Sequence, residues 1–410
     1  MVNRRSVSWY KKHMRRLMTF SFLMAAVLLM LMLMLMLMPT ARGRAQEATD
    51  PPKPNPDSNL TQTASVATSM EWIEVSPEGA YFQYADSGRR FTPWGLNYDH
   101  DPSGRLLEDY WDAEWDRVVS DFEEMKSLGA NTVRIHLQYG RFMQAADQVR
   151  QEQLTRLRRL LDLAERLGLY VDITGLGCYH RRDVPEWYDR LEESERWASQ
   201  AEFWRHVASV AADSPAVFCF DLMNEPVVPG GDRPRTDWLG PAFGDKHFVQ
   251  FIALDRRGRE RGDIARQWIE QLVKAIRRHD RRHLITVGLV PWSLDRPGLT
   301  SGFDPRRIAD RLDFLSVHVY PEQDKIDESL ELVRAFAAVG KPLLIEETFP
   351  LKCDIQSLEQ FIDHADPFVA GWLGFYWGKS PDELQPPQTI GDAITHQWLT
   401  FFQAKAARRE

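Results

Sequence analysis

Two glutamates stand at the ends of short apolar segments, where they could perform acid/base or nucleophilic chemistry. Glu225 follows the apolar residues of segment 220–226 (FDLMNEP), and Glu347 follows those of segment 342–348 (PLLIEET). Such runs predict buried strands, which would fix each glutamate and shield it partly from water. Because the glutamates are 122 positions apart (347 − 225), they must come from different strands. Cleavage of a glycosidic bond needs such a pair of carboxyl groups, whereas surface glutamates at strand ends are the alternative.

Three more polar residues occur inside apolar segments of the same kind. Arg134 lies in segment 131–136 (NTVRIH), where a buried charge is costly unless an opposite charge pairs with it. His318 and Tyr320 lie two apart in segment 314–321 (FLSVHVYP), so both side chains point to the same face of a strand. The alternatives are a structural ion pair elsewhere for Arg134 and an ordinary core position for His318.

The elements that must position these residues follow a repeating pattern. From about residue 91, short apolar runs alternate with amphipathic segments, which is typical of strand–helix units in a parallel sheet. The predicted strands are Phe91–Asn97, Thr132–Leu137, Leu169–Thr174, Ala216–Leu222, His283–Leu289, Phe314–Val319, Leu343–Glu346 and Gly371–Trp377. The predicted helices include Glu114–Leu128, Gln153–Leu167, Glu195–Ala212, Asp263–Asp280 and Leu330–Val339. Gly129, Gly168 and Gly340 follow three of these helices, where a left-handed cap is favoured.

Eight strands with intervening helices predict an α/β fold, a (β/α)8 TIM barrel. A short N-terminal β-hairpin at residues 72–90 is expected to cover the barrel bottom. A doubly wound sheet is the alternative, but no glycine-rich phosphate loop follows the first strand. The long segment 227–262 after the fourth strand either shapes the cleft at the C-terminal mouth or is a surface loop.

Asn-Glu-Pro after a strand, together with a second strand that ends in glutamate, resembles the clan of retaining (β/α)8 glycosidases. Within it the resemblance is to glycoside hydrolase family 5, the cellulase and β-mannanase family, over about residues 71–405. The resemblance implies that Glu225 is the acid/base. It implies that Glu347 is the nucleophile, because it aligns with the family pattern Lys-Pro-apolar-apolar-apolar-X-Glu. Glu346 then fills a variable position that mannanase-like members also occupy with glutamate.

The same resemblance assigns substrate-binding residues. It implies that Arg134 contacts the nucleophile and that Asn224 binds the sugar 2-hydroxyl. It places His318 and Tyr320 along the cleft, with the tyrosine hydroxyl bonded to the nucleophile. Trp377, at the end of the eighth strand, becomes the stacking platform beneath the reacting sugar.

Further candidate sugar contacts are less specific. The first strand and its end supply Asn97, Asp99 and His100, and Trp292 follows the fifth strand. Cellulase-type members carry a histidine where Leu176 stands here, which weakens a cellulase assignment. His180, four residues later, is a candidate replacement from a different loop.

Together with these residues, the resemblance implies a retaining glycoside hydrolase that forms a covalent glycosyl-enzyme intermediate. Its carbohydrate substrate would be a β-linked polysaccharide or oligosaccharide of the β-mannan or β-glucan type. A transglycosylase with the same site and a non-catalytic carbohydrate-binding barrel remain as alternatives. No cofactor or metal is expected, since His136, His180 and His318 do not form a convincing ligand set.

Composition and the N-terminal segment limit the remaining functions. The net charge of −8, without a basic stripe interleaved with aromatics, argues against a nucleic-acid partner. Residues 1–45 combine basic residues, an apolar run at 20–38 and Gly43-Arg44-Ala45, so they predict export, by either a cleaved signal peptide or an uncleaved membrane anchor. Residues 46–69 read as a disordered linker, and residues 70–410 as the catalytic domain.

The sequence contains three cysteines. They provide neither a disulfide framework nor metal-ligand spacing, so free thiols are expected at Cys178, Cys219 and Cys353. The oligomeric state is left open.

Overall fold

The computed structural model describes residues 70–294 and 299–409, in which strands alternate with helices. The strands are β1 (Ile73–Val75), β2 (Phe82–Tyr84), β3 (Arg90–Phe91), β4 (Trp94–Tyr98), β5 (Thr132–Gln138), β6 (Met143–Ala145), β7 (Gln148–Val149), β8 (Tyr170–Gly177), β9 (Val217–Asn224), β10 (Pro226–Val227), β11 (Gln250–Phe251), β12 (Leu284–Leu289), β13 (Leu315–His318), β14 (Leu343–Glu347) and β15 (Gly371–Phe375). The helices are α1 (Leu107–Tyr110), α2 (Trp115–Ser127), α3 (Tyr139–Phe142), α4 (Gln151–Leu167), α5 (Glu186–Arg190), α6 (Glu193–Ala211), α7 (Arg261–Ile276), α8 (Pro305–Ile308), α9 (Ile326–Ala337), α10 (Ile355–Ala365) and α11 (Ile390–Ala406).

Eight of these strands form a closed barrel. Their order is β4–β5–β8–β9–β12–β13–β14–β15, and β15 pairs in parallel with β4 to close the ring. Residues of β5, β8 and β9 are buried along their whole length, because one face lines the lumen and the other meets the helices. The barrel prediction is therefore confirmed, and the doubly wound sheet is wrong.

The outer helices pack through regular apolar faces. In α4, Leu154, Leu157 and Leu161 are buried at spacings of three and four residues. The helix ends at Gly168, whose φ of 63° lies in the left-handed region that glycine adopts without strain. The predicted glycine caps are confirmed here and at the ends of α2 and α9.

A small antiparallel sheet, β1–β2–β3, covers the N-terminal end of the barrel. The Phe82 ring meets the rings of Phe218 and Phe314 edge-on at 5.0 Å, at the starts of two barrel strands. The predicted hairpin is confirmed and gains a third strand. Phe91 belongs to this third strand, because Pro93 has no N–H for the barrel ladder and β4 begins only at Trp94.

One predicted helix is too long at its end. The segment 263–280 forms a helix only to Ile276. The carboxylate of Asp280 accepts hydrogen bonds from the backbone N–H groups of Arg282 and His283, which stabilises a turn before β12.

The predicted export segment (1–45) and linker (46–69) lie outside the described residues. Within residues 70–294 and 299–409, no helix is long and apolar enough to cross a membrane. Cys178 and Cys219 are buried and Cys353 is half-buried, and all three are free thiols, as predicted.

Candidate active site

Glu225 and Glu347 meet at the C-terminal mouth of the barrel. Glu225 directly follows β9 and has a φ of 48°, which is rare for a residue with a side chain. Its backbone N–H donates to the Gly288 carbonyl on β12 at 2.9 Å, which holds the turn in place. Glu347 is the last residue of β14. One carboxylate oxygen of each glutamate and a ring nitrogen of His318 all lie within 4.8 Å of one another.

Arg134 binds Glu347 from inside the barrel. It is fully buried, and its Nη1 donates to Glu347 Oε1 at 2.7 Å. Nη2 donates to Asp221 Oδ2 at 2.8 Å and to Asn224 Oδ1 at 3.0 Å, and Nε donates to Thr174 Oγ1 at 2.7 Å. A buried guanidinium with this many acceptors has one orientation, so it fixes the position of the Glu347 carboxylate.

Tyr320 and His318 surround the same carboxylates. The Tyr320 hydroxyl donates to Glu347 Oε2 at 2.5 Å. His318 Nδ1 lies 2.9 Å from Glu225 Oε1 and 3.4 Å from Glu347 Oε2. Burial lowers the pKa of His318, but the charge of Glu347 and the hydrogen bonds to Glu225 and Glu346 outweigh it and raise the pKa to about 10. His318 is therefore an imidazolium that links the two site glutamates.

Glu346 also reaches the barrel interior, although successive side chains along a regular strand point to opposite faces. Its Oε2 lies 3.5 Å from Arg134 and 3.3 Å from His318 Nε2. The pairing register between β13 and β14 shifts between Val317 and His318, so regular alternation is interrupted at this position. Burial alone would raise the pKa of Glu346, but Arg134 and His318 lower it to about 2.

Arg134, His318 and Glu346 belong to a layer of charged side chains inside the barrel. Two aspartates extend this charged layer below the mouth. Asp172 on β8 and Asp221 on β9 are fully buried. Burial raises the pKa of Asp221 to about 6, with the charge of Glu346 adding to the shift and Arg134 opposing it. Burial and the Glu346 charge raise the pKa of Asp172 well above its usual range. Neither aspartate was predicted, although the criterion that found Arg134, a charge inside an apolar strand, applies to both.

Asn97 positions Arg134. Its Oδ1 accepts from Arg134 Nη1 at 3.0 Å, and its Nδ2 donates to the backbone carbonyls of Glu346 and Gly374 at 2.9 and 2.7 Å. His136 Nε2 lies 3.2 Å from the same Oδ1. Hydrogen bonds within the protein therefore already engage both groups of the Asn97 side-chain amide, which was a candidate sugar contact.

Trp377 lies in the segment after β15, beside the aromatic rings of the site. It stacks on Phe375 at 5.2 Å, and Phe375 stacks in turn on Tyr320 at 6.3 Å. Its Nε1 donates to Asp99 Oδ1 at 3.1 Å. A flat, half-buried ring in this position can support a sugar.

The two other candidates lie on different sides of the mouth. Trp292 is half-buried and lines a cavity of about 330 Å³ that Tyr320 also lines. His180 is buried, with Nδ1 at 3.3 Å from Asp245 in the long segment 227–262. The structure does not bring these two residues into direct contact with the glutamate pair.

The segment 227–262 contributes to the wall of the site. The Phe248 carbonyl accepts from Asn224 Nδ2 at 3.1 Å, and Gln250 Nε2 donates to the Leu176 carbonyl at 2.9 Å. These contacts join the segment to the ends of β9 and β8. Of the two interpretations of this segment, they favour a cleft wall over a surface loop.

The chemistry of the donors does not favour a metal at this position. Among the described residues, Glu225, His318 and Glu347 form a group whose spacing could hold an ion. However, Arg134 already places a positive charge 2.7 Å from Glu347. The imidazolium of His318 adds another at 3.4 Å, so a metal cation at this carboxylate would be repelled.

Known proteins are similar to this chain in sequence. A family model described as cellulase (glycosyl hydrolase family 5) matches residues 105–368. The chain is 25% identical over 228 residues to mannan endo-1,4-β-mannosidase A of Podospora anserina, which is 51% of this chain and 51% of that protein. It is 25% identical over 196 residues to an endoglycoceramidase of Hydra vulgaris, which is 46% of this chain and 33% of that protein. The chain thus spans about half the length of the first relative and a third of the second.

Solved structures share the fold. An exo-β-1,4-mannosidase from Opitutaceae bacterium strain TAV5 has a TM-score of 0.58 at 19% identity, over 82% of this chain and 62% of that chain. An endo-1,4-β-mannanase from Rhizomucor miehei has a TM-score of 0.56 at 18% identity, over 82% and 99%. A β-1,4-mannanase from the sea hare Aplysia kurodai has a TM-score of 0.54 at 16% identity, over 80% and 96%. At these identities the likeness shows the fold alone.

Proposed function

The chain belongs to glycosyl hydrolase family 5, whose model matches more than half of it, and from this premise we propose that it hydrolyses β-glycosidic bonds with retention of configuration. The substrate would be an oligosaccharide or polysaccharide of the β-mannan or β-glucan type. Glu225 would act as the acid/base and Glu347 as the nucleophile.

The approach of Glu225 to Glu347 is the observation that carries this proposal. Retaining glycosidases hold their two carboxyl groups about 5–5.5 Å apart, whereas inverting enzymes leave about 6.5–9.5 Å for a water molecule. Carboxylate oxygens of Glu225 and Glu347 lie within 4.8 Å of each other, which supports direct attack by one of them on the sugar.

The contacts of each glutamate support the division of roles. Glu347 accepts hydrogen bonds from Arg134 and Tyr320, which hold its two carboxylate oxygens in the fixed position that a nucleophile needs. Glu225 lacks such a guanidinium contact and is held by His318 alone among the side-chain hydrogen bonds of the described residues. Glu225 is therefore the less constrained of the two carboxyl groups, which suits the acid/base role.

The reaction would follow in two steps. Glu225 donates a proton to the glycosidic oxygen while Glu347 attacks the anomeric carbon, so the leaving group departs and a glycosyl ester forms. Glu225 then removes a proton from water, which attacks the same carbon and releases Glu347. Trp377 would support the sugar ring, and Asn224, fixed by Arg134, would face its 2-hydroxyl.

We place β-mannans first among the substrates. The similarity to mannan endo-1,4-β-mannosidase A of Podospora anserina supports this order, since it covers 51% of this chain and 51% of that protein. The leucine at position 176, where cellulase-type members carry histidine, argues in the same direction. A β-glucan remains the second class.

The test is a substrate panel with two variants. The purified protein should turn over β-mannan or β-glucan substrates and aryl β-glycosides, and NMR should detect the β-anomer as the first product. Glu347→Ala should lose nearly all turnover, and azide should restore part of it with an inverted product. Glu225→Ala should slow polysaccharide cleavage far more than cleavage of an activated aryl glycoside, which needs no protonation. Near-native activity in both variants would disprove the assignment.

The same panel separates the alternatives. An added sugar acceptor that outcompetes water would identify a transglycosylase with this site. Binding without turnover of any β-glycoside would identify a carbohydrate-binding barrel.

We also propose export through residues 1–45. The basic residues before the apolar run 20–38 are the supporting feature. Fractionation of cells that produce the full chain should find it in the membrane or outside the cytoplasm. A cytoplasmic pool only would contradict this proposal.

A further inference from the structure

We propose that the cleft is closed on its glycone side after one sugar, so that the enzyme removes single sugars from non-reducing chain ends. This inference rests on the proposed function and adds the mode of attack. It depends on which side of the catalytic pair is open and which side is walled.

The leaving group must lie on the side of Glu225, since this residue would protonate the glycosidic oxygen. Glu225 is tied through its backbone to Gly288 on β12, and that strand leads to Trp292. Here the cavity of about 330 Å³ opens between Trp292, Leu299 and Tyr320. A tryptophan face and open space on the side of the mouth where β12 and β13 end fit the sugar of a leaving group.

On the opposite side, the segments after β4 and β15 are tied to each other. Trp377 Nε1 donates to Asp99, and the His100 ring meets the Trp377 ring edge-on at 5.9 Å. His100 and Asp99 also form an ion pair at 3.2 Å. A sugar chain that continued past Trp377 in this direction would have to break these contacts.

Helix α2 reinforces the same wall. Arg117 Nη1 lies 3.1 Å from Asp101 in the segment after β4. A Cβ built on Gly378, next to Trp377, would lie only 2.9 Å from Arg117 Nη2. The segment after β15 thus lies against the Arg117 side chain of α2.

The segment 227–262 completes the wall from the other side of the mouth. Lys246 is 5% exposed, and its Nζ lies 3.1 Å from the position that a Cβ on Gly104 would take. The backbone N–H of His247 donates to the Tyr179 carbonyl at 2.8 Å. The segment therefore spans from the end of β9 to the segment that follows β4.

Polar groups in this wall could recognise the end of a sugar chain. The Nδ1 atom of the buried His180 lies 3.3 Å from Asp245, and its Nε2 has no hydrogen-bond partner among the described residues. An unsatisfied buried polar group is unfavourable, and sugar hydroxyls could satisfy it. Lys246 brings three N–H donors to the same wall and uses one of them on Asp245 at 3.1 Å. Terminal hydroxyls of a chain end are the ligands that such donors fit.

The direct test is the order in which products appear. Mannohexaose and cellohexaose, each labelled at the reducing end, should lose one sugar at a time, with free monosaccharide as the co-product. The viscosity of a soluble β-mannan should fall slowly relative to reducing-end release. Early labelled products of several lengths, with a rapid fall in viscosity, would refute the closed wall but leave the proposed function intact. No turnover of any β-glycoside would instead refute the proposed function.

Variants of the wall test the role of Lys246. Lys246→Met keeps the apolar stem but removes the charge, and Lys274→Ala on the exposed face of α7 is the matched control. Losing a charged hydrogen bond to the terminal sugar should raise KM about tenfold, with a smaller change in kcat. The fraction of monosaccharide among the first products should fall at the same time. Unchanged KM and products in a folded Lys246→Met protein would exclude Lys246 from recognition.

Discussion

At the scale of single residues, the main feature of the site is the balance of buried charges around Arg134. Two buried cations, Arg134 and His318, face five carboxyl groups within a few contacts of each other. These carboxyl groups belong to Asp172, Asp221, Glu225, Glu346 and Glu347. Ionising all five in a dry interior would be costly, so some of them must keep a proton near neutral pH.

Tyr320→Phe tests the support of the proposed nucleophile. The hydroxyl at 2.5 Å holds one carboxylate oxygen of Glu347 in place, so its loss should lower kcat/KM about 10- to 100-fold, mainly through kcat. Tyr81→Phe, in the N-terminal sheet region, is the control and should leave both constants unchanged. A native kcat in a folded Tyr320→Phe protein would remove this role.

Asp172→Asn tests which carboxyl group keeps a proton. Burial and Glu346 raise the pKa of Asp172, so an amide of the same shape should replace the neutral acid at a cost of about 1 kcal/mol or less. Glu346→Gln should cost about 3–5 kcal/mol instead, because it leaves buried positive charge without its partner. Urea unfolding at pH 7 measures both values. Equal damage from the two substitutions would mean that Asp172 is ionised.

At the scale of elements, irregular strand pairing creates the site. The parallel register shifts between Thr286 and Gly288 on β12 and between Val317 and His318 on β13. It also shifts next to Asp172 on β8. Each shift turns a side chain away from the direction that regular alternation would give it. Neighbouring strands can therefore supply more polar groups to one layer than a period of two allows.

Gly288→Ala tests this layer at one strand position. A Cβ there would lie 3.0 Å from Glu346 Oε2, 3.1 Å from Arg134 Nη2 and 3.1 Å from Asp221 Oδ2. Inserting a methyl group among these atoms should destabilise the fold by about 1–3 kcal/mol and lower kcat/KM further, since Arg134 would shift. Gly231→Ala, at an exposed position without positive φ where the added Cβ meets no atom within 4 Å, controls for glycine loss. Native stability and activity in Gly288→Ala would show that the layer tolerates extra volume.

At the scale of the whole molecule, the buried charges of the site reduce the stability of the fold. The charged layer of the barrel lies between two apolar regions, the N-terminal plug around Phe82 and the shell beneath the helices. Buried charges of this kind contribute stability only in the protonation states that match their partners. The global stability should therefore depend on pH through this layer.

His318 makes the stability of the fold decrease as the pH rises on the alkaline side. Its pKa is about 10 in the folded protein and about 6.5 in an unfolded chain, so folding is favoured by its proton below pH 6.5. This contribution should be lost as the pH rises towards 10, at up to about 1.4 kcal/mol per pH unit. Chemical denaturation at several pH values, compared with His318→Gln, measures the slope. Parallel slopes for both proteins would contradict a charged His318.

The sequence by itself determined the barrel and most of the candidate catalytic set. Strand and helix patterns are local, so eight strands, their helices and the positions of Glu225, Glu347, Arg134, His318 and Tyr320 could be assigned from one-dimensional spacing. Only the tertiary structure decided which side chains share the interior. The register shifts that bring Glu346 beside Arg134 arise from pairing between strands far apart in the chain. The wall at Lys246 likewise depends on a long segment folding back across the mouth, and no local pattern encodes where such a segment comes to rest.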